Sequence, residues 1–172
     1  MTERRMTMNQ MKKNNIGLVE YCRAQLGRPY WYGCFGQIST EKLLDCKMRQ
    51  YPSYYTARDY MNQFGVKVHD CIGLVKGYIW GDGPEDPSPK YANGFKDLSA
   101  NMTLRHCEKK GSIATIPEIP GVLVFMSGHV GVYIGNGEVI EARGHRYGVV
   151  LTKLKNRKWT NWGMLPEIQY IS

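Results

Sequence analysis

The stretch Gly128-His129-Val130-Gly131-Val132-Tyr133-Ile134-Gly135-Asn136-Gly137-Glu138-Val139-Ile140-Glu141-Ala142 reads as two strands joined by a tight turn. Asn136-Gly137 is a strong hairpin signal, because both residues accept the positive φ that matches strand twist. The apolar run Val122–Met126, just after Pro120-Gly121, reads as a buried strand, Gly148–Thr152 as a fourth and Ile168–Ile171 as a fifth. Upstream the pattern is helical. Ile16, Val19, Cys22 and Leu26 lie on one stripe of a helix running from Asn14 to Gly27. Ser39 or Thr40 can cap a short helix reaching Tyr51, Thr56 one ending at Gly65, and Ser99 one that stops at Gly111. Cys71, Leu74, Val75, Tyr78 and Ile79 keep helical spacing from a start at His69 or Asp70. Gly73 and Gly77, one turn apart, suit close packing of that helix against a sheet. Helices first and strands later predict an α+β fold: N-terminal helices on a central antiparallel sheet.

The chain has 172 residues, enough for one domain with its own core. Hydrophobic residues at 42% and charged residues at 22% exclude a disordered chain. We expect a loose basic arm over 1–13 and a single domain over 14–172. Met1–Asn15 has no apolar core of the kind a secretory signal needs, so the expectation is a protein made in the cytoplasm without a signal peptide. The longest apolar run, Val122–Met126, is far short of the roughly 18 residues of a membrane span, so no stable membrane insertion is expected. The net charge of +8 favours anionic partners. Nucleic acid would need a docking element, and none is visible. Five cysteines, an odd number, leave at least one free thiol, and there is no C-x-x-C. The spacings of His69, His106, His129 and His145 fit no zinc pattern, so neither metal nor cofactor is expected.

Three positions carry chemistry together: Cys71 at a helix start, His129 opening a strand and Glu141 on the next. A cysteine nucleophile acts as thiolate, and the partial positive charge of a helix N-terminus lowers its pKa. The amides there can also bind an oxyanion. An imidazole takes the thiol proton and returns it to the leaving amine, and a third group orients the imidazole. A two-residue hairpin loop would pair Val132 with Glu141 and turn Glu141 away from His129. A three-residue loop, Gly135–Gly137, would pair Gly131 with Glu141, place both side chains on one face and leave room at Gly131. The chemistry requires the second register; both are compatible with the sequence.

These residues resemble a known family. His69-Asp70-Cys71-Ile72-Gly73-Leu74-Val75 is similar to an Asp-Cys-Ser-Gly-Leu-Val nucleophile motif, Gly128–Gly135 to a His-Val-Gly-Ile-Tyr strand, and Gly27-Arg28-Pro29-Tyr30-Trp31-Tyr32-Gly33 to a Pro-Tyr-x-x-Gly-Gly element. The chain resembles the NlpC/P60 family of papain-like cysteine peptidases, which cleave stem peptides of bacterial peptidoglycan. The resemblance implies Cys71 as nucleophile, His129 as base and Glu141 at the third position. It also implies Tyr30 on the oxyanion side and Asp70 holding the substrate's amine; Trp31 joins them as a candidate groove residue. It departs from the motif at Ile72 for Ser, at Val122 for an acidic residue and at Glu141 for His, Asn or Gln. About 40 residues separate Tyr30 from Cys71, an insertion near 38–68, and a second covers 81–111.

Other readings of the same residues remain. A different Cys-His acyl-transfer enzyme, transglutaminase-like or another amidase, uses the same groups in the same order. An inactive wall-binding module would keep the fold without the reaction. The basic stretch Arg143, Arg146, Lys153, Lys155, Arg157 and Lys158 reads as a solvated face that could meet anionic wall polymers. The expected setting is a phage endolysin released by a holin, or an effector with dedicated secretion, acting on peptidoglycan.

Overall fold

The structure is a computed structural model describing residues 13–172. Helix α1, Asn15–Ala24, is capped by Asn14, whose side chain accepts from the Gly17 amide. Strands β1, Phe35–Ile38, and β2, Lys67–His69, form a small antiparallel ladder. Between them α2, Glu41–Gln50, starts at Thr40, which accepts from the Leu43 amide. Helix α3 covers Gly73–Trp80 and α4 Ala100–His106. The main sheet contains β3 (Lys109–Ser112), β4 (Leu123–Met126), β5 (His129–Gly135), β6 (Glu138–Ala142), β7 (Val149–Lys153) and β8 (Asn161–Met164). Its order is β3-β8-β4-β5-β6-β7, antiparallel throughout. This is the α+β layout expected from helices followed by strands.

Several local expectations differ. The expected arm lies outside the described residues except for Lys13, whose ammonium donates to the Gly81 carbonyl at 2.8 Å and sits over the Tyr78 ring. In α1 the buried face is Leu18, Val19, Tyr21 and Cys22; Ile16 and Leu26 are exposed. Residues after Thr56 form only a 3-10 turn over Tyr60–Gln63. Helix α4 stops at His106, and the residues assigned to its last turn form edge strand β3 instead. Ile168–Ile171 is not a sheet strand; β8 takes that role and runs between β3 and β4.

Alternation splits the sheet's side chains between two cores. Val130, Val132, Ile140 and Ala142 face Leu18, Cys22, Leu74, Val75 and Ile79 of α1 and α3. Val122, Val124, Tyr133, Val139 and Trp159 fill the other face. By the same alternation His129 and Glu141 stand on the Trp159 side. Helix α3 reaches the strands only because of its glycines. A Cβ on Gly73 would stand 2.0 Å from the Cys34 carbonyl oxygen, and one on Gly77 would be 2.8 Å from that of Phe35. The obstacle at Gly73 is backbone, which cannot rotate away. Gly73→Ala therefore lowers the unfolding free energy by about 1–3 kcal/mol, the scale of overpacking. Urea denaturation measures it, and an unchanged midpoint would show that α3 does not rest on this strand.

Candidate functional site

The hairpin fixes the geometry of the site. Val132 pairs with Ile140 and Tyr133 with Val139, so Glu141 stands opposite Gly131. This is the register that places His129 and Glu141 on one face, but it arises differently from the expected three-residue loop. The turn is the two-residue Asn136-Gly137, with φ of 54° and 73°, and a bulge between Tyr133 and Gly135 shifts the ladder by one residue. The space at Gly131 is also used differently. A Cβ there would meet Val139 at 2.8 Å and Trp159 at 2.9 Å. Gly131 thus admits the Trp159 ring, which stacks on the His129 imidazole at a centroid distance of 5.4 Å and a 15° tilt.

His129 Nε2 lies 2.8 Å from Glu141 Oε1. The Glu141 carboxylate is buried and takes three partners. Arg157 Nη2 donates to Oε1 at 2.7 Å, Arg157 Nε to Oε2 at 3.1 Å, and the Thr152 hydroxyl to Oε2 at 2.6 Å. Burial alone would raise the carboxyl pKa. The bonds from His129, Arg157 and Thr152 outweigh it and hold Glu141 down at about 2. A carboxylate acceptor fixes the imidazole so that Nε2 carries hydrogen and Nδ1 is left as the basic nitrogen.

Cys71 sits in the turn between β2 and α3. The backbone amides of Val130, Ile72 and Cys71 itself favour its thiolate. Burial, and after it the Asp70 carboxylate, outweigh them and push the thiol up to about 12. The lowered thiol pKa expected from the helix N-terminus is therefore not what the structure gives, because desolvation of a thiolate costs more than these amides return. Among the described residues no hydrogen bond joins Cys71 to His129; Cys71 and Gly128, the residue before His129, line one cavity. Cys22, Cys34 and Cys107 are buried free thiols, and Cys46 is exposed.

Asp70 braces this turn. Its Oδ1 accepts from the Gly73 amide at 2.7 Å, capping α3, and its Oδ2 accepts from the Gly33 amide at 2.9 Å. Tyr30 is set beside it by a bridge to His69. Tyr30, Asp70, Cys71 and Gly128 line a cavity of about 640 Å³. Both insertions contribute to its wall, through Lys47, Tyr51 and Tyr54 on one side and Asp97, Ser99 and Asn101 on the other. Trp31 does not. It is fully buried among Tyr55, Tyr60 and Phe64, with its indole N–H on Gln63, so this candidate groove residue is core. His145 pairs with Asp59 over the Tyr60 ring.

Residues 27–166 match the NlpC/P60 family. The chain belongs to that family. Among solved structures it is similar to the peptidoglycan hydrolase RipB from Mycobacterium tuberculosis, with a TM-score of 0.53 and 17% identity, covering 91% of this chain and 65% of that one. It is similar to the P60 domain of an antigen from Mycobacterium avium subspecies paratuberculosis, at 0.53 and 19%, covering 91% and 96%. NlpC1 from Trichomonas vaginalis gives 0.51 and 18%, covering 93% and 49%. At such identities the likeness is one of fold, and the chain spans only part of RipB and about half of NlpC1. No curated protein matches the chain by sequence.

On this NlpC/P60 framework, Arg157, Thr152 and Trp159 are the residues that sequence reading missed. Arg157 was grouped with a solvated basic face. The signal that could have found it is Glu141 itself, a carboxylate in an apolar strand that must find a cation. Arg143 and Arg146 of the same basic stretch lie instead over the Tyr147 ring. Arg157→Ala removes the bidentate partner, so the Glu141 pKa rises from about 2 toward the ordinary carboxylate range. A depressed carboxyl pKa stabilises the fold above the ordinary value, and that contribution is lost as pH falls through the folded value. The variant therefore loses stability at a higher pH than wild type on acid titration, by about 1.4 kcal/mol for each unit of pKa regained. Carbon NMR titration of Glu141 and acid unfolding both measure it. Superimposable titrations would show that Arg157 does not hold the carboxylate.

Proposed function

We propose that the protein is a cysteine hydrolase of bacterial peptidoglycan, cleaving amide bonds in stem peptides. The observation that carries this reading is the His129–Glu141 pair, one residue beyond Gly128, which lines the same cavity as Cys71. Membership of the NlpC/P60 family, and the fold shared with the peptidoglycan hydrolase RipB, support the substrate class.

In this reading Cys71 Sγ attacks the amide carbon as His129 Nδ1 takes the thiol proton. The imidazolium that forms is stabilised by Glu141, which Arg157 and Thr152 keep ionised and in place. The carbonyl oxygen becomes an oxyanion facing the amides around Cys71. Tyr30 lies on the same wall. Burial, then the nearby Cys71 and Asp70, push its phenol above the ordinary range, so it stays neutral and can donate a hydrogen bond. The C–N bond breaks as His129 gives its proton to the leaving amine. Water, deprotonated by His129, then cleaves the thioester and releases the carboxylate product. With the resting thiol held high, proton transfer accompanies attack rather than preceding it.

Incubating the protein with purified peptidoglycan and analysing the soluble fragments by mass spectrometry tests the reading. New amine and carboxyl ends within stem peptides are expected; cross-linked amide products would point to acyl transfer instead. Cys71→Ala is expected to abolish release with the fold retained. Glu141→Gln, which still accepts from His129, should lose ~10–100-fold and Glu141→Ala more, within the ~10²–10⁴-fold contribution of general base catalysis. Wild-type rates in Glu141→Ala would remove it from the site.

The thiol makes a separate expectation. Only thiolate reacts with iodoacetamide, and a pKa near 12 leaves a thiolate fraction that grows about tenfold per pH unit. Alkylation of Cys71, followed by peptide mapping, should therefore keep accelerating from about pH 6 to 9. A plateau within that range would reveal a thiolate already formed at rest.

A further inference from the structure

The cavity beside Cys71 carries four charged side chains: Lys47, Lys76, Asp70 and Asp97. Three are already matched. Asp70 accepts from the Gly33 and Gly73 amides. Lys76 is buried and bonded to Asp97 at 2.6 Å. Lys47 alone of the four has neither a hydrogen bond nor an ion pair among the described residues.

Its position is built rather than incidental. Lys47 lies in the last turn of α2, inside the insertion near 38–68. Its ammonium sits 5.7 Å from the centre of the Tyr51 ring. It would also lie 3.5 Å from a Cβ placed on Gly33, the residue whose amide Asp70 holds. Tyr51 packs edge-on to Tyr32, which stacks flat on Tyr54 at 3.7 Å, and the Tyr55 hydroxyl donates to the Tyr32 carbonyl. These contacts lock the insertion onto the Tyr30–Gly33 segment beside the thiol. A half-buried ammonium facing a cavity, with its local carboxylates committed elsewhere, forms a strong charge-assisted bond with an incoming anion.

We propose that Lys47 is a substrate-binding residue that pairs with a free carboxylate of the peptide held in the cavity, making the insertion a specificity element for anionic peptides. This rests on the hydrolase reading above and adds to it a residue of this chain's own insertion. The aromatic wall of Tyr32, Tyr51 and Tyr54 flanks the ammonium and limits water around the pair, which strengthens it relative to an exposed ion pair.

Binding can be tested separately from turnover. The probes are a stem peptide with its carboxylates free and the same peptide with those carboxylates amidated, titrated calorimetrically into Cys71→Ala protein. The free acid should bind about tenfold tighter or more, the scale of one hydrogen bond to a charged group. Lys47→Met in the same background should erase that preference while binding the amidated peptide as before, and Lys47→Arg should keep most of it. A preference unchanged in Lys47→Met, or no preference at the outset, overturns the proposal. Hydrolysis by the Cys71-containing protein is scored separately. If the acidic peptide binds through Lys47 but is never cleaved, the hydrolase reading fails and the binding site stands. If both peptides are cleaved and bound alike, the site fails and the hydrolase reading stands.

Discussion

The Glu141 carboxylate is the constraint on which the candidate site depends. It is buried on a strand of Val139, Ile140 and Ala142, where an unpaired charge would be strongly destabilising. Three donors from three places answer it: His129 across the hairpin, Thr152 on the neighbouring strand and Arg157 from the turn that follows. Satisfying the carboxylate therefore fixes the imidazole, joins β5 to β7 and anchors the chain leading into β8. Trp159, two residues beyond Arg157, lies on the imidazole ring as a result. One acidic residue in an apolar strand thus ties the sheet's register to the orientation of the His129 imidazole.

The cysteine is positioned by a different set of forces. Asp70 joins the Gly33 segment to the first turn of α3, and the Asp70 amide donates to the Cys34 carbonyl. Gly73 and Gly77 let the helix lie on that same backbone. The sulfur is thereby brought to the start of β5 from the helical side, while His129 and Glu141 occupy the opposite face of the sheet. Gly128, one residue before His129, lines the same cavity as Cys71. Placing the candidate groups at a strand end leaves both faces of the sheet free to be packed as core.

Much of this was legible in the sequence because it rests on local rules. Asn136-Gly137 marked the hairpin, Thr40 and Ser99 the helix starts, and the glycine pair the close approach of α3. What was not legible is tertiary. Strand β3, Lys109–Ser112, has no apolar alternation to announce it, since it is an exposed edge held by pairing with β8. Ile168–Ile171 has a strand-like composition, yet Ile168 packs into the core and the Gln169 backbone bonds to Lys13 and Asn15. Trp31 resembles its groove-lining neighbour Tyr30, but adjacent residues point opposite ways, and the insertion supplied Tyr55, Tyr60 and Phe64 to bury it. Arg157 sat in a run of cations most of which are exposed, and only the fold distinguishes it from them. The Cys71 thiol was read from the helix end alone, although its pKa is decided by burial.

In the proposed mechanism the raised Cys71 pKa bears on when the proton moves. A thiol held high by its surroundings gains little from a base acting at rest, because separating charge in a desolvated site is unfavourable until something compensates it. The compensation available here is the ionised Glu141, already neutralised in part by Arg157 and so unable to attract the imidazolium as strongly as a lone carboxylate would. Arg157 therefore acts in two directions. It keeps Glu141 ionised and fixed, which orients His129, and it weakens the pull of Glu141 on a second positive charge. In the proposed mechanism the developing oxyanion supplies the negative charge that makes transfer of the thiol proton to His129 favourable. In the same proposed mechanism the three-way clamp on Glu141 sets the angle of the ring that takes the thiol proton.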